Sequence, residues 1–100
     1  MRIIIPMDSE DVEEAKLVRA LEATTWIQLL IEEGKVVETK HSKTYDGFED
    51  FSEAVVLMDA AENPMPFMEL SMMPLMAPMQ RYVDDIVEAY LFRELQDFPY

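Results

Sequence analysis

Apolar and polar positions fall in blocks along this chain, and the blocks predict alternating strands and helices. The consecutive apolar residues Ile3, Ile4 and Ile5 indicate a strand buried on both faces, which Pro6 and Asp8 bring to an end. A second apolar run, residues 54–57, indicates another such strand. We expect the two to lie side by side and parallel in the middle of one sheet.

A β-hairpin is predicted between these two strands. Residues 24–31 and 36–41 contain many β-branched and aromatic side chains, and Gly34 lies in the polar turn between them. A last strand is predicted at residues 73–77, parallel to the strand before it through a right-handed crossover. Pro74 should confine it to a sheet edge, because proline cannot donate to an interior ladder.

Helices are predicted at residues 9–23, in a short segment beginning at residue 46, at residues 63–72 and at residues 79–96. Ser9 can cap the first, and Asn63 followed by Pro64 suits the start of the third. The chain of 100 residues is thus expected to be a single α/β domain.

The charge balance restricts the partners that this chain can bind. There are 21 acidic and 8 basic side chains, for a net charge of −13. Nucleic acid and anionic membrane are poor partners for such a chain, whereas a basic protein or a cation is easier to accommodate. Solubility alone is the simplest explanation. Carboxylates and prolines interrupt the apolar stretch at residues 54–79, so it does not predict a membrane-spanning helix.

The chain contains no cysteine. This excludes disulfides, thiolate metal sites and cysteine nucleophiles, and it agrees with a cytoplasmic location. His41 is the single histidine and is expected to be solvated at a strand end. No serine, histidine and aspartate set can be assembled by spacing, so no catalytic residue is predicted.

Two aspartates follow the two buried strands. Asp8 ends the first and Asp59 ends the second, so in parallel neighbours both carboxylates would lie at the same sheet edge, where open α/β folds bind ligands. They could share Mg²⁺ or Mn²⁺ and support a divalent-metal enzyme. Alternatively, they are ordinary cap and turn formers.

Methionine is concentrated in one region of the chain, at residues 58–79. Met65, Met68 and Met72 have a spacing that places them on one face of a helix. Three interpretations stay open. The thioethers fill gaps in the core, form a plastic surface for a partner or a second copy, or bind Cu(I).

Several segments together resemble the dinitrogenase iron–molybdenum cofactor biosynthesis family. The segments are the opening strand at residues 2–8, the hairpin at 26–38, the central strand at 54–58 and the final helix at 83–98. The resemblance implies a mixed five-stranded sheet of ribonuclease H-like topology with flanking helices. It also implies a non-catalytic accessory or carrier role in nitrogen fixation, with an iron–sulfur or iron–molybdenum cluster precursor as cargo.

This sequence departs from the family pattern at two places. Residues 17–25 lack the family's histidine and glycine, and residues 59–64 replace its glycine-rich turn, so the groups expected to approach a cluster are missing. No ligand residue can be carried over from the family. The candidate cofactor-binding or contact residues are those of the turn and the methionines that follow it, namely Asp59, Glu62, Asn63, Met65, Met68 and Met72. We call residues 63–79 the Met-rich surface. It is the expected contact for a protein partner or a second copy of this chain.

Overall fold

The structure, a computed structural model, describes residues 1–99, which form six strands and two α-helices. The strands are β1 (Arg2–Met7), β2 (Thr25–Glu32), β3 (Lys35–Ser42), β4 (Ala54–Leu57), β5 (Met73–Met76) and β6 (Gln96–Asp97). The helices are α1 (Met65–Met68) and α2 (Val83–Leu91), and a 3-10 turn covers Ala20–Glu22. No helix in this part of the chain is long and apolar enough to cross a membrane.

All six strands belong to one mixed sheet, in the order β3-β2-β1-β4-β5-β6. The central strands β1, β4 and β5 are mutually parallel, and each outer strand is antiparallel to its neighbour. Ile4 is aligned with Val55, which confirms that the two apolar runs are parallel neighbours. The predicted count of five strands is wrong because β6 adds a sixth.

Two apolar cores lie on opposite faces of this sheet. Ile3 and Ile5 face α2, and Ile86 of that helix packs against the same cluster. Ile4 faces the other way, toward Phe67 of α1. We call these sides the α2 face and the α1 face. Because successive strand residues point to opposite faces, a strand covered on both sides must be apolar throughout, as β1 is.

The predicted hairpin is present as β2 and β3. Glu33 and Gly34 join the strands with φ values of 52° and 81°. Two successive positive φ angles are typical of the type I′ turn, whose backbone twist matches that of the strands. The β2–β3 register shifts between Leu30 and Ile31, and no side chain of β3 is fully buried.

Pro74 is tolerated in β5 for a different reason from the one predicted. β5 lies beside the two-residue strand β6, not at the edge of the sheet. The Met73 and Ala77 N–H groups donate to carbonyls on the β4 side, at 2.9 Å each. The Pro74 nitrogen therefore points away from β4, toward β6, which pairs only with Leu75 and Met76.

The predicted helix at residues 9–23 is absent. Its polar residues bond locally instead, since the Asp11 N–H donates to Ser9 Oγ at 3.1 Å and the Glu13 N–H donates to Asp11 Oδ1 at 3.0 Å. Farther along, the Leu17 N–H donates to the Arg81 carbonyl at 2.6 Å. The Val18 N–H likewise donates to the Pro6 carbonyl at 3.2 Å, so these two N–H groups bond to distant carbonyls in place of the i−4 carbonyls of a helix.

The other predicted helices are shorter or absent. Residues 46–51 form turns and bends. α1 is a single turn rather than a helix reaching residue 72. α2 covers only the middle of the predicted span, because Arg93 adopts φ 58° and ends it, leaving residues 96–97 free to form β6.

Candidate functional site

The carboxyl edge of β1 and β4 is the candidate site, because ligands of open α/β sheets bind at this edge. The parallel pairing of the two strands brings Asp8 and the turn at residues 58–62 to the same edge. The predicted ligands Asp59 and Glu62 lie in this turn, and Asn63, Met65, Met68 and Met72 follow it along the chain.

Asp8 closes the loop that follows β1. The Lys16 N–H donates to Asp8 Oδ1 at 2.8 Å, and the Asp8 N–H donates back to the Lys16 carbonyl at 3.1 Å. One of its carboxylate oxygens therefore already accepts a backbone hydrogen bond. This is the behaviour of a turn former, one of the two roles that the sequence left open.

Asp59 forms a two-pronged ion pair with Arg19. The two guanidinium nitrogens of Arg19 donate to the two Asp59 carboxylate oxygens at 2.9 and 2.7 Å. The Ala61 N–H adds a third hydrogen bond at 3.0 Å. These bonds favour the charged carboxylate, so the pKa of Asp59 lies below its ordinary value, and the same pair raises the pKa of Arg19.

Glu62 connects the turn at residues 58–62 to the segment that contains Arg19 and Ala20. Its Oε1 accepts from the Ala20 N–H at 2.7 Å, and its Oε2 accepts from the Met58 N–H at 2.6 Å. We call residues 58–62 together with Arg19 and Ala20 the closed turn. Sequence reasoning missed Arg19, because nothing in the sequence connects it to an acidic turn 40 residues away.

The remaining predicted ligands do not converge on this edge. Asn63 Oδ1 accepts from the Met65 N–H at 3.1 Å, so its side chain holds the start of α1. Met68 is half-buried, and Met72 lies in the core of the α1 face. The predicted single helical face is wrong, because Ser71 adopts φ 63° and the chain leaves the helix before Met72.

The Met-rich surface nevertheless exposes several apolar side chains. Their exposed fractions are 52% for Met65, 41% for Leu70, 50% for Met73 and 85% for Met79. They do not form one continuous patch, because Leu70 borders the α1 face whereas Met73 and Met79 border α2 on the other face. The described structure therefore divides the methionines between the core and the exposed surface, while partner contact and Cu(I) binding stay predictions.

The residues of this edge do not fit an iron–sulfur or iron–molybdenum cluster. Such clusters are held by cysteine thiolates, with histidine replacing some of them in certain cases. The chain has no cysteine, and His41 lies exposed on β3. Within residues 1–99, no group of three or more histidine, cysteine, aspartate or glutamate side chains is placed to hold a metal ion.

No family model matches this sequence, and no curated protein sequence matches it. Solved structures do match. The crystal structure of a "putative dinitrogenase" from Methanocaldococcus jannaschii superposes with a TM-score of 0.75 at 16% identity, covering 98% of this chain and 94% of that one. An NMR structure of the same archaeal protein gives 0.71 at 17% identity, with 100% and 94% coverage.

A "putative NifB protein" from Thermotoga, of the DUF35 family, matches with a TM-score of 0.68 at 15% identity, covering 96% of this chain and 91% of that one. The chain has the fold of these proteins. The resemblance inferred from the sequence is thereby confirmed as a structural match along the whole chain. Identity at this level shows a shared fold and leaves the activity to be argued from the residues.

Proposed function

We propose that this chain is a non-catalytic accessory protein related to iron–molybdenum cofactor biosynthesis, which acts by contacting another protein and does not hold a metal cluster. The match over almost the whole chain to the "putative dinitrogenase" and the "putative NifB protein" supports the accessory role. The closed turn supports contact with a protein rather than binding of a metal cluster, because its carboxylates already accept hydrogen bonds from this chain. A cytoplasmic location, supported by the absence of cysteine, belongs to the same proposal.

A ribonuclease H-like topology is part of this proposal. The strand order β3-β2-β1-β4-β5, with a hairpin on one side and parallel strands on the other, supports it. β6 is then an addition at the outer edge that pairs with only Leu75 and Met76.

The observation that carries the proposal is the set of hydrogen bonds made by Asp59 and Glu62. All four of their carboxylate oxygens accept hydrogen bonds from Arg19 or from backbone N–H groups. A cluster entering this edge would have to break the ion pair and leave the Arg19 guanidinium without its partner. It would gain only oxygen and thioether ligands, which hold iron–sulfur clusters poorly.

Anaerobic reconstitution tests this proposal. The full chain is incubated with ferrous iron, sulfide and a reductant, desalted, and assayed for iron per chain and for visible absorbance. We expect far less than one iron per chain. A stoichiometric, coloured species that survives desalting would overturn the proposal.

An Arg19→Ala, Glu62→Ala variant is the matched control for that experiment. It opens the turn without adding a thiol. If ligand chemistry is the decisive barrier, the variant stays as free of iron as the parent. If only the variant retains iron, closure of the turn is the barrier instead, and both results agree with the proposed function.

Self-association through the Met-rich surface is the second candidate function. The observation that favours it is the exposure of Met65 and Leu70, at 52% and 41%, which lie in and just after α1 on one face of the sheet. We expect a concentration-dependent dimer by analytical ultracentrifugation, weakened by Met65→Glu with Leu70→Glu. Leu21→Glu is the control, since Leu21 is fully exposed outside this surface. A parent that stays monomeric would refute self-association, as would equal weakening by the control.

A divalent-metal enzyme built on Asp8 and Asp59 stays a prediction from the sequence. Asp59 would first have to exchange Arg19 for the ion, and Asp8 already accepts the Lys16 N–H. The net charge of −13 also opposes a phosphodiester substrate. We therefore place it below the two contact functions.

A further inference from the structure

A shallow groove of about 390 Å³ lies between the edge strand β3 and helix α2. Val36 and Thr39 line it from β3, and Val87 and Leu91 line it from α2. It exists because the six-stranded sheet is much wider than the single α-helix on this face. The helix predicted at residues 9–23 would have added cover, but this segment is a loop.

The walls of the groove are apolar and accessible. The exposed fractions are 37% for Val36, 37% for Leu91 and 71% for Phe92, which lies at the end of α2. Val87 and Val12 are half-buried beside them. Apolar side chains gathered in a concave site gain more from a partner's contact than isolated surface residues do.

The rim of the groove is acidic. Asp84 and Glu88, one helical turn apart on α2, both line it, and no lysine or arginine does so. Elsewhere in residues 1–99, Arg2, Arg19 and Lys40 pair with carboxylates, and Arg81 donates to backbone carbonyls. The remaining cations are Lys16, Lys35, Lys43 and Arg93, and none of them lines the groove.

We propose that this groove docks a cationic amphipathic helix from a partner protein. Its apolar side chains would contact Val36, Leu91 and Phe92, and its lysines or arginines would pair with Asp84 and Glu88. The groove adjoins one end of the Met-rich surface, because Leu91 also lines a cavity with Met73 and Glu88 lines one with Met79. Met65 and Leu70 lie at α1 on the opposite face of the sheet, so a contact through those two residues can fail separately. An amphipathic helix in an apolar groove is a common recognition mode.

Charge complementarity favours a cationic helix in this groove over a second copy of this chain. Two copies would bring two acidic rims together, each on a chain of net charge −13. Addition of a strand to the edge of β3 is also disfavoured. Lys35 and the irregularity after Leu30 lie on this strand pair, and both features are typical protections of a sheet edge.

A titration with a designed peptide tests the proposal. The probe is a peptide of about 14 residues, long enough to span α2, with leucine on one helical face and lysine on the other. It is added to the ¹⁵N-labelled full chain and followed by NMR. We expect amide shifts concentrated in β3 and in α2, and weaker binding as the salt concentration rises.

Asp84→Asn with Glu88→Gln should weaken peptide binding about tenfold, since two ion pairs at a partly exposed rim are lost. Phe92→Ser should weaken it severalfold through lost apolar contact. All three residues are exposed, so these variants should keep the parent's spectrum outside the groove. Asp46→Asn with Glu49→Gln, the same charge change on the loop that packs on the α1 face, should leave binding unchanged.

Several results would overturn the proposal. The first is that the lysine peptide does not bind, and the second is that its binding shifts amides over the whole acidic surface. The third is that the Asp46 and Glu49 control weakens peptide binding as much as the groove variant does. The fourth is that a peptide with glutamate in place of lysine binds equally well. A dimer of the parent that occupies the same groove without peptide would assign the surface to a second copy instead.

Discussion

At the scale of single residues, the turn after β4 depends on the partner that Asp59 finds. The deciding residue is Arg19, whose guanidinium lies 2.7 Å from one Asp59 oxygen. A pair so distant along the chain forms only because the loop after β1 folds back over the end of β4, and no local pattern encodes that.

The Arg19–Asp59 pair predicts a pH-dependent contribution to stability. The pKa of Asp59 is lower in the folded chain than in the unfolded one, first through the Arg19 hydrogen bonds and then through the Ala61 N–H. The contribution is therefore present above the unfolded pKa, near 3.9, and is lost as the pH falls through the lower folded value.

Asp59→Asn should accordingly be less stable than the parent near neutral pH, and the difference should shrink below about pH 4. Urea unfolding at neutral and acidic pH measures this. Because the pair is partly exposed, added salt should reduce the difference as well. Asp46→Asn, on an exposed loop, is the control. A difference that stays constant with pH would contradict the role assigned to the pair.

At the scale of elements, the sequence pattern predicts those strands that are covered on both faces, because every side chain of such a strand must be apolar. The uniformly apolar β1 and β4 were predictable for that reason, whereas the hairpin was predictable from its β-branched residues and from Gly34 in the turn. The helix at residues 9–23 was not, because the Leu17 and Val18 N–H groups donate to carbonyls of distant residues, Arg81 and Pro6, which no local pattern reveals. Helix ends were also unpredictable, since the residues that stop them are not glycines.

The end of α2 shows this point. The Glu94 N–H donates to the Ala89 carbonyl at 2.7 Å and the Arg93 N–H donates to the Tyr90 carbonyl at 3.2 Å, which is a Schellman motif. Glycine usually occupies the left-handed position of this motif, but Arg93 does so here, at φ 58°. A left-handed conformation costs a residue with a Cβ atom roughly 1–2 kcal/mol.

Arg93→Gly should therefore raise the free energy of unfolding by about 0.5–1 kcal/mol, since glycine relieves the strain but is more flexible when unfolded. Chemical denaturation measures the change. Phe92→Gly is the matched control, because Phe92 has φ −90° and glycine should be destabilising there. A loss of stability in Arg93→Gly would show that its side chain contributes more than its backbone conformation costs.

At the scale of the whole molecule, the fold follows from the placement of two apolar strands in the centre of the sheet. The net charge of −13 predicts that nucleic acid is a poor partner, and the lack of cysteine excludes thiolate metal sites. The groove between β3 and α2 could not be predicted, because it depends on a helix that does not form. The closed turn could not be predicted either, because it joins segments that meet only in the folded chain.

The central feature of this molecule is that its own hydrogen bonds fill the carboxyl edge of the sheet. Hydrogen exchange of the Ala20 and Met58 amides tests it directly, because both donate to Glu62. We predict that both amides are protected in the parent and that Glu62→Ala accelerates both together, by at least about tenfold, while β1 amides stay unchanged. Fast exchange in the parent, or unchanged exchange in the variant beside a Glu69→Ala control, would show an open edge and contradict the account.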